Sequence, residues 1–362
     1  MKGGSGYINI HNAENLLKKI KVKEATYSDF SNLLTLEETK IEPFFQLAQE
    51  IKVQNFGNSL KIYIPNKRFP AISLTGNICE LNCEHCNKKY LSGMKAILNP
   101  RDLRDFLTNH GKKNGVGVLL SGGCDSNGSV PLIKYLDVVN EVKKETNLVI
   151  NTHTGLLDEN TAKKLAEANV DIVSFDINVD DDAIKEIYHL NKDRKDYERA
   201  VYLLKKYNLN VVPHICIGLY HGILHKELEA LKFINETNLN PSLIVLIALI
   251  PPKYKKSKFK EPKPLEIAKI IAVTRFLFPT TEISLGCMRP RGKLKKKIEL
   301  MAIKAGLNRI EIPSPDTLKK IKKINPKIKY KFFSACCALP KKFEELPSSK
   351  CKNSKIKRYK IN

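Results

Sequence analysis

From Ile72 onward the chain alternates short runs of β-branched and other apolar residues with longer stretches in which apolar positions recur every three or four residues. A short apolar run suits a strand buried on both faces, and the longer period suits an amphipathic helix. The alternation therefore predicts βαβ units and a parallel sheet. Strands are expected over 71–75, 117–121, 148–152, 171–176, 211–217, 243–249, 282–285 and 309–312, and these eight match the strand count of a closed barrel. Helices are expected over 130–144, 158–168, 196–207, 226–236, 264–277 and 293–305, with Gly155, Asn169 and Gly306 at helix or turn boundaries. Residues 8–55 read as two or three more helices, with HNAENLLKKI and EETKIEPFFQLAQEI the clearest, expected to pack on the barrel as an N-terminal cap. After Ile312 the chain turns basic, with a helix expected over 316–323 and an exposed, mobile tail past Pro347. The division is a helical cap over 1–66, a barrel over 67–313 and a basic extension over 314–362.

A chain of 362 residues with 42% hydrophobic content can bury a large core. No basic and apolar leader opens the sequence, and the longest apolar run, 243–250, is far short of a bilayer crossing, so a soluble, cytoplasmic protein without a membrane partner is expected. Nine cysteines in that setting argue for thiols and metal ligands rather than a disulfide framework. Sixty-two Lys and Arg against thirty-eight Asp and Glu leave a net charge of +24, concentrated in KYKKSKFK, RGKLKKK, KKIKKINPKIKYK and SKIKRYK. The ordinary reading of such runs is solvated lysine-rich surface; the functional one is a polyanion or acidic protein partner. Nucleic acid is the less expected partner, because aromatics are only 7% and no aromatic-rich binding appendage is evident.

The most specific chemical signal is GNICELNCEHCNKKY, in which Cys79, Cys83 and Cys86 are spaced CxxxCxxC directly after AISLTG. Zinc usually takes four protein ligands, whereas three clustered thiolates suit a 4Fe–4S cluster with one open iron. A zinc knuckle using His85, or three buried thiols, are the alternatives. Strand, CxxxCxxC and helix in this order resemble the radical S-adenosylmethionine (SAM) superfamily. The resemblance implies a radical-SAM-type (β/α)8 TIM-like barrel, an α/β fold, whose cluster is held by Cys79, Cys83 and Cys86. It also implies SAM as cofactor, chelated by the open iron and cleaved by one electron from a ferredoxin-type reductant to methionine and a 5′-deoxyadenosyl radical.

Polar residues at the strand ends face the active site of a parallel barrel. In LLSGGC, residues Ser121, Gly122 and Gly123 resemble the superfamily's GGE-like turn for the methionine amino group, with Cys124 in place of the acid and Asp125 following. Asn151 and His153 end the third expected strand; Ser174 and Asp176 end the fourth and suit ribose hydroxyls. His214, in PHICIG, resembles the adenine-contacting GxIxG region. With His85 and Arg289 these form the candidate cofactor-binding set; no catalytic side chain is identified. Cys287, in LGCMRPRG, and the Cys336/Cys337 pair are candidate ligands of an auxiliary cluster, with Cys124 in reserve, against a reading of all of them as small buried hydrophobes.

NFGNSLKIYIPN, the barrel and an arginine after the seventh strand together resemble biotin synthase, although His153 and a displaced Cys216 stand where its auxiliary cysteines would be. LSGGCDSNGSVPL, VPHICIGL, LGCMRPRG and the late cysteine pair look like the biotin-synthase homologues of two-protein split lipoyl synthases. That likeness implies hydrogen abstraction from an unactivated carbon of an octanoyl chain on an acidic lipoyl carrier protein, sulfur drawn from an auxiliary cluster, and a second radical SAM subunit. A radical SAM enzyme acting on RNA and a non-catalytic iron–sulfur scaffold or electron carrier are the competing readings.

Overall fold

Each of the eight expected apolar runs becomes a strand, and three further strands join them in one parallel sheet. The computed structural model describes residues 10–255 and 258–348. The strands are β1 (Ser59–Tyr63), β2 (Ala71–Ser73), β3 (Lys95–Ala96), β4 (Gly117–Ser121), β5 (Val149–His153), β6 (Ile172–Asp176), β7 (Val211–Ile217), β8 (Leu243–Ala248), β9 (Glu282–Leu285), β10 (Arg309–Glu311) and β11 (Lys329–Phe333). Their order is β11-β1-β10-β9-β8-β7-β6-β5-β4-β2-β3.

The architecture is TIM-like, but the expected closure is corrected: the sheet is curled and open, with β11 and β3 as edges. β3 is two exposed residues, and β11 reads KYKFF with lysines toward solvent, so neither edge offers an apolar template for closure. The convex side buries Val118, Leu120, Ile150, Val173, Ile215 and Leu246 under helices. The alternate residues Val149, Ile172, Val212, Leu243 and Val245 point into the concave side, where Tyr63, Phe333, Ala335 and Leu339 cover them.

Three helices form the cap, α1 (Ile10–Lys21), α2 (Tyr27–Thr35) and α3 (Glu38–Phe56), and the chain then enters the sheet as β1, inside the region read as cap. The extension likewise supplies β11. Three helices were not expected: α4 (Pro100–Lys112), started by Asn99, whose side chain accepts the Asp102 N–H, the short α7 (Asp181–Glu186) and the four-residue α13 (Glu345–Ser348). The others are α5 (Leu136–Glu145), α6 (Glu159–Glu167), α8 (Arg194–Lys206), α9 (Glu227–Glu236), α10 (Pro264–Leu277), α11 (Lys293–Lys304) and α12 (Pro315–Ile324). The cap packs on α9, α10 and α11, outside the sheet rather than over its mouth. Phe30 stacks on Phe276 with centroids 6.4 Å apart, and the buried Lys269 ammonium donates to the Leu34 and Leu36 carbonyls that end α2. The tail expected past Pro347 falls almost wholly outside the described residues.

The floor of the concave side holds four charges, three of them buried and the fourth, Glu344, half-buried. Arg309 pairs with Glu282 and, at 3.0 Å, with Glu344; Lys61 reaches Glu282 at 2.6 Å and Glu344 at 2.7 Å. Tyr63 donates its hydroxyl proton to Glu344 at 2.7 Å and accepts from Arg309 at 2.9 Å. Burial pushes the Glu282 carboxyl up, but Arg309 and Lys61 outweigh it and hold it below the usual carboxylate range. Replacing Arg309 leaves two carboxylates short of charge, and Arg309→Met is expected to lower unfolding free energy by about 3–5 kcal/mol. Denaturant titration measures this; Arg309→Met/Glu282→Leu, which leaves Lys61 and Glu344 as a neutral pair, should recover part of the loss.

Candidate active site

Above that floor, at the C-terminal ends of the strands, lies a cavity of about 550 Å³. Its top is built where the chain leaves β2. The Thr75 hydroxyl accepts the Gly123 N–H at 2.7 Å and donates to the Ile78 carbonyl at 2.8 Å, and Glu80 N–H donates to the Cys124 carbonyl at 2.8 Å. Cys124 N–H donates to Cys79 Sγ at 3.3 Å. These bonds clasp the CxxxCxxC loop to the turn after β4. The clasp leaves no room for a side chain at Gly123, where a Cβ would sit 2.0 Å from the Ile78 oxygen and 2.5 Å from Cys79 Cβ. Farther along the loop, Glu84 N–H donates to the Ile187 carbonyl at 2.7 Å, and the Tyr254 hydroxyl donates to the Glu84 carbonyl at 2.6 Å.

Eight of the nine cysteines line this one cavity: Cys79, Cys83, Cys86, Cys124, Cys216, Cys287, Cys336 and Cys337. The ninth, Cys351, lies outside the described residues. A hydrogen bond between Cys83 and Cys86 pushes the Cys83 thiol up and brings Cys86 down to about 7, so the thiolate is readily formed at Cys86. Among the described residues, one trio of ligand atoms lies within 4.8 Å, the spacing one metal ion requires, and it is Asp180, Asp182 and His225. Three thiols on one short loop, one of them accepting a backbone N–H, suit a polynuclear cluster.

Side chains at strand ends divide by depth. Ser121, Gly122, Gly123, His153, Asp176, His214 and His85 line the cavity. His153 and His214 meet edge to face at 5.6 Å, and burial holds both imidazoles neutral, His214 down to about 4. His85 Nδ1 is buried without a hydrogen-bond partner, and its ring stands edge-on to Tyr188 at 5.1 Å. Asn151 and Ser174 do not reach the cavity: they lie one layer deeper, with Ser174 Oγ donating to Asn151 Oδ1 at 3.0 Å. Arg289 is also a correction. Its guanidinium turns away to pair with Glu299 at 2.7 Å and to donate to the Gly286 and Glu311 carbonyls at 2.7 Å, so it holds the loop after β9 rather than a ligand.

Cys287, at the end of β9, and Cys336 and Cys337, after β11, come together at the β9–β10 side of the cavity. Cys336 Sγ accepts the Ala338 N–H at 3.5 Å and is hydrogen-bonded to Cys337. Cys124 stands apart from them, beside Cys79. Three residues of the site carry no sequence signal of their own. Tyr90 and Tyr188 line the cavity from the loop after β2 and from α7's exit, and Glu311 ends β10 pointing inward. A fourth, Glu227, opens α9 and accepts the Gly218 and His225 N–H groups, each at 2.7 Å, which fixes the loop after β7. An acid at a helix start was the available signal.

Residues 73–234 match the family model described as the radical SAM superfamily. The biotin synthase of Buchnera aphidicola subsp. Acyrthosiphon pisum (strain APS) is 25% identical over 291 residues, covering 76% of this chain and 81% of that protein. That of Streptococcus agalactiae serotype III (strain NEM316) is 27% identical over 229 residues, covering 60% of this chain and 66% of that protein. Among solved structures, the FeFe-hydrogenase maturase HydG from Carboxydothermus hydrogenoformans superposes with a TM-score of 0.65 at 15% identity, over 92% of this chain and 82% of that one. Methylornithine synthase (PylB) gives 0.58 at 19% identity, over 83% and 87%. These two share the fold.

Gly123→Ala is expected to break the clasp, so that iron bound after anaerobic reconstitution falls while far-ultraviolet circular dichroism is unchanged. Burial raises the Glu227 carboxyl from 4.5 to about 7, so the stability it contributes is full below 4.5 and is lost as pH rises through about 7. Glu227→Gln should therefore flatten the fall in melting temperature across that window, measured side by side with the parent.

Proposed function

We propose that this chain is a radical SAM enzyme of the biotin-synthase-like group, and that it inserts sulfur at an unactivated aliphatic carbon of a protein-bound octanoyl chain, as a lipoyl synthase subunit. The family implies a 4Fe–4S cluster and SAM, which together supply a 5′-deoxyadenosyl radical that removes a hydrogen atom from a C–H bond. Cys79, Cys83 and Cys86 would hold that cluster. The Ser121–Gly123 turn, packed directly on the cluster loop, would receive the methionine amino group through its backbone; Asp176 would accept from the ribose hydroxyls. His153 and His214, held neutral, would add hydrogen bonds without a charge.

One observation carries the reading: a single cavity contains the radical-cluster thiols and a second thiol group, Cys287, Cys336 and Cys337. A radical initiator needs the first alone, whereas sulfur insertion also needs a sulfur reservoir within reach of the substrate carbon. Leu119, Val245, Ile247, Leu249 and Met288 give the cavity an apolar wall suited to an alkyl chain, and such walls limit the water and stray thiols that would quench a carbon radical.

Charge supports the carrier. A groove of about 430 Å³ between α3, α11 and α12 has Ile41, Phe45, Leu300 and Met301 in its floor and Lys293, Lys296, Lys297, Lys304 and Lys320 along it; Glu38 and Glu42 pair with Lys297 and Lys304, and the lysines left over keep the groove positive, a surface suited to an acidic carrier domain. A second radical SAM subunit and a ferredoxin-type reductant complete the proposed system. No helix among the described residues is long and apolar enough to cross a membrane.

The test is anaerobic turnover with SAM, reductant and an octanoylated acidic carrier domain, with and without a candidate second subunit. Thiolated octanoyl product is expected; SAM cleavage without it would move the substrate elsewhere. Cys79→Ala/Cys83→Ala/Cys86→Ala should abolish SAM cleavage, and cleavage retained in that variant would overturn the cluster assignment. Lys296→Glu/Lys297→Glu should weaken carrier binding about tenfold at low salt and far less at high salt.

A further inference from the structure

Glu311 is out of place for a structural carboxyl. It ends β10 facing into the cavity, almost wholly buried, yet no ion pair within 4.0 Å is found for it among the described residues. Arg289 binds the Glu311 backbone carbonyl and pairs with Glu299, and Arg291 acts on the carboxyl only at a distance, without an ion pair. What faces the Glu311 carboxylate is sulfur: Cys337 donates to it from both thiol and backbone, and its field is the largest influence on the Cys287 thiol. A carboxyl buried in a cavity wall without a salt bridge, turned toward thiols, is placed as a ligand is placed rather than as a structural ion pair is. Three thiols and a carboxylate converging on one patch of cavity wall supply the donors of a four-ligand iron site.

We propose that Glu311 is the fourth protein ligand of an auxiliary iron–sulfur cluster held by Cys287, Cys336 and Cys337, giving that cluster one oxygen-ligated iron. The proposal rests on the reading of those thiols as an auxiliary site. A carboxylate is a harder and more easily displaced ligand than a thiolate, so the oxygen-ligated iron is where the cluster opens to a substrate. The Ala338 N–H bonded to Cys336 Sγ is of the kind that steadies a ligating thiolate, and the Cys336 side is the sulfur-rich end. This asymmetry also assigns Cys124 elsewhere: it belongs to the clasp at Cys79 and is not needed as a ligand.

The experiment is anaerobic reconstitution of the full chain, followed by iron and sulfide counts and Mössbauer spectroscopy, with SAM cleavage as a separate readout. The parent is expected to bind two clusters, about eight irons if both are of the four-iron type. Glu311→Gln should lose the auxiliary cluster, leaving about four irons, while SAM cleavage persists. Glu311→Cys should restore the iron count with an all-thiolate Mössbauer signature and a lowered reduction potential, which separates a lost ligand from a misfolded chain. If Glu311→Gln keeps the full iron count and the parent spectrum, Glu311 is not a ligand and the proposal fails, although the auxiliary site stands. If Cys287→Ala/Cys336→Ala/Cys337→Ala binds as much iron as the parent, the auxiliary site itself fails, and this inference with it.

Discussion

Two cations and two anions on the concave floor, all but Glu344 buried, hold this structure in register. Glu282, Arg309 and Lys61 come from three neighbouring strands, and Glu344 comes from the segment beyond β11. Their charges cancel, and each is shared by two partners, so none can be removed without exposing another to the low-dielectric interior. Arg309 also donates to the Leu339 carbonyl, which draws the chain between β11 and Glu344 across the open side of the sheet. Cys336 and Cys337 lie on that stretch. The placement of the second thiol group thus depends on an ionic interaction at the floor rather than on the strands that carry most of the cavity.

A parallel sheet buried on both faces writes itself into the sequence as continuous apolar runs, and β4 through β10 are legible for that reason. β1 and β11 break the rule in different ways. Lys61 interrupts the run SLKIY because its ammonium serves the charge cluster, and β11 is apolar on one face only because it is an edge. Whether a sheet closes is likewise not encoded in its strand count: the edges decide it, and here they are a two-residue strand and a lysine-bearing one.

The cluster loop was readable because its three thiols are local in sequence, so spacing alone carries the chemistry. Depth was not. Asn151 and His153 share a face by the two-residue period of a strand, as do Ser174 and Asp176, and the pattern cannot say which of each pair reaches the cavity. The upper member does, and the lower two satisfy each other. Arg289 failed as a ligand for a related reason: its partner Glu299 sits on α11, a contact that only the fold creates. Glu311, Tyr188 and Glu227 acquire their roles through the same long-range juxtaposition.

The two thiol groups differ in when they can exist. Cys79, Cys83 and Cys86 leave the ribosome together, within one loop whose clasp needs only β2, β4 and the turns between. Cys287, Cys336 and Cys337 are brought together by β9, β10 and the segment after β11, so their pocket cannot form until nearly all of the described chain has been synthesised and the floor has neutralised its charges. Maturation therefore has a built-in order, in which the radical site becomes loadable first and a nascent or truncated chain holds one set of thiols without the other.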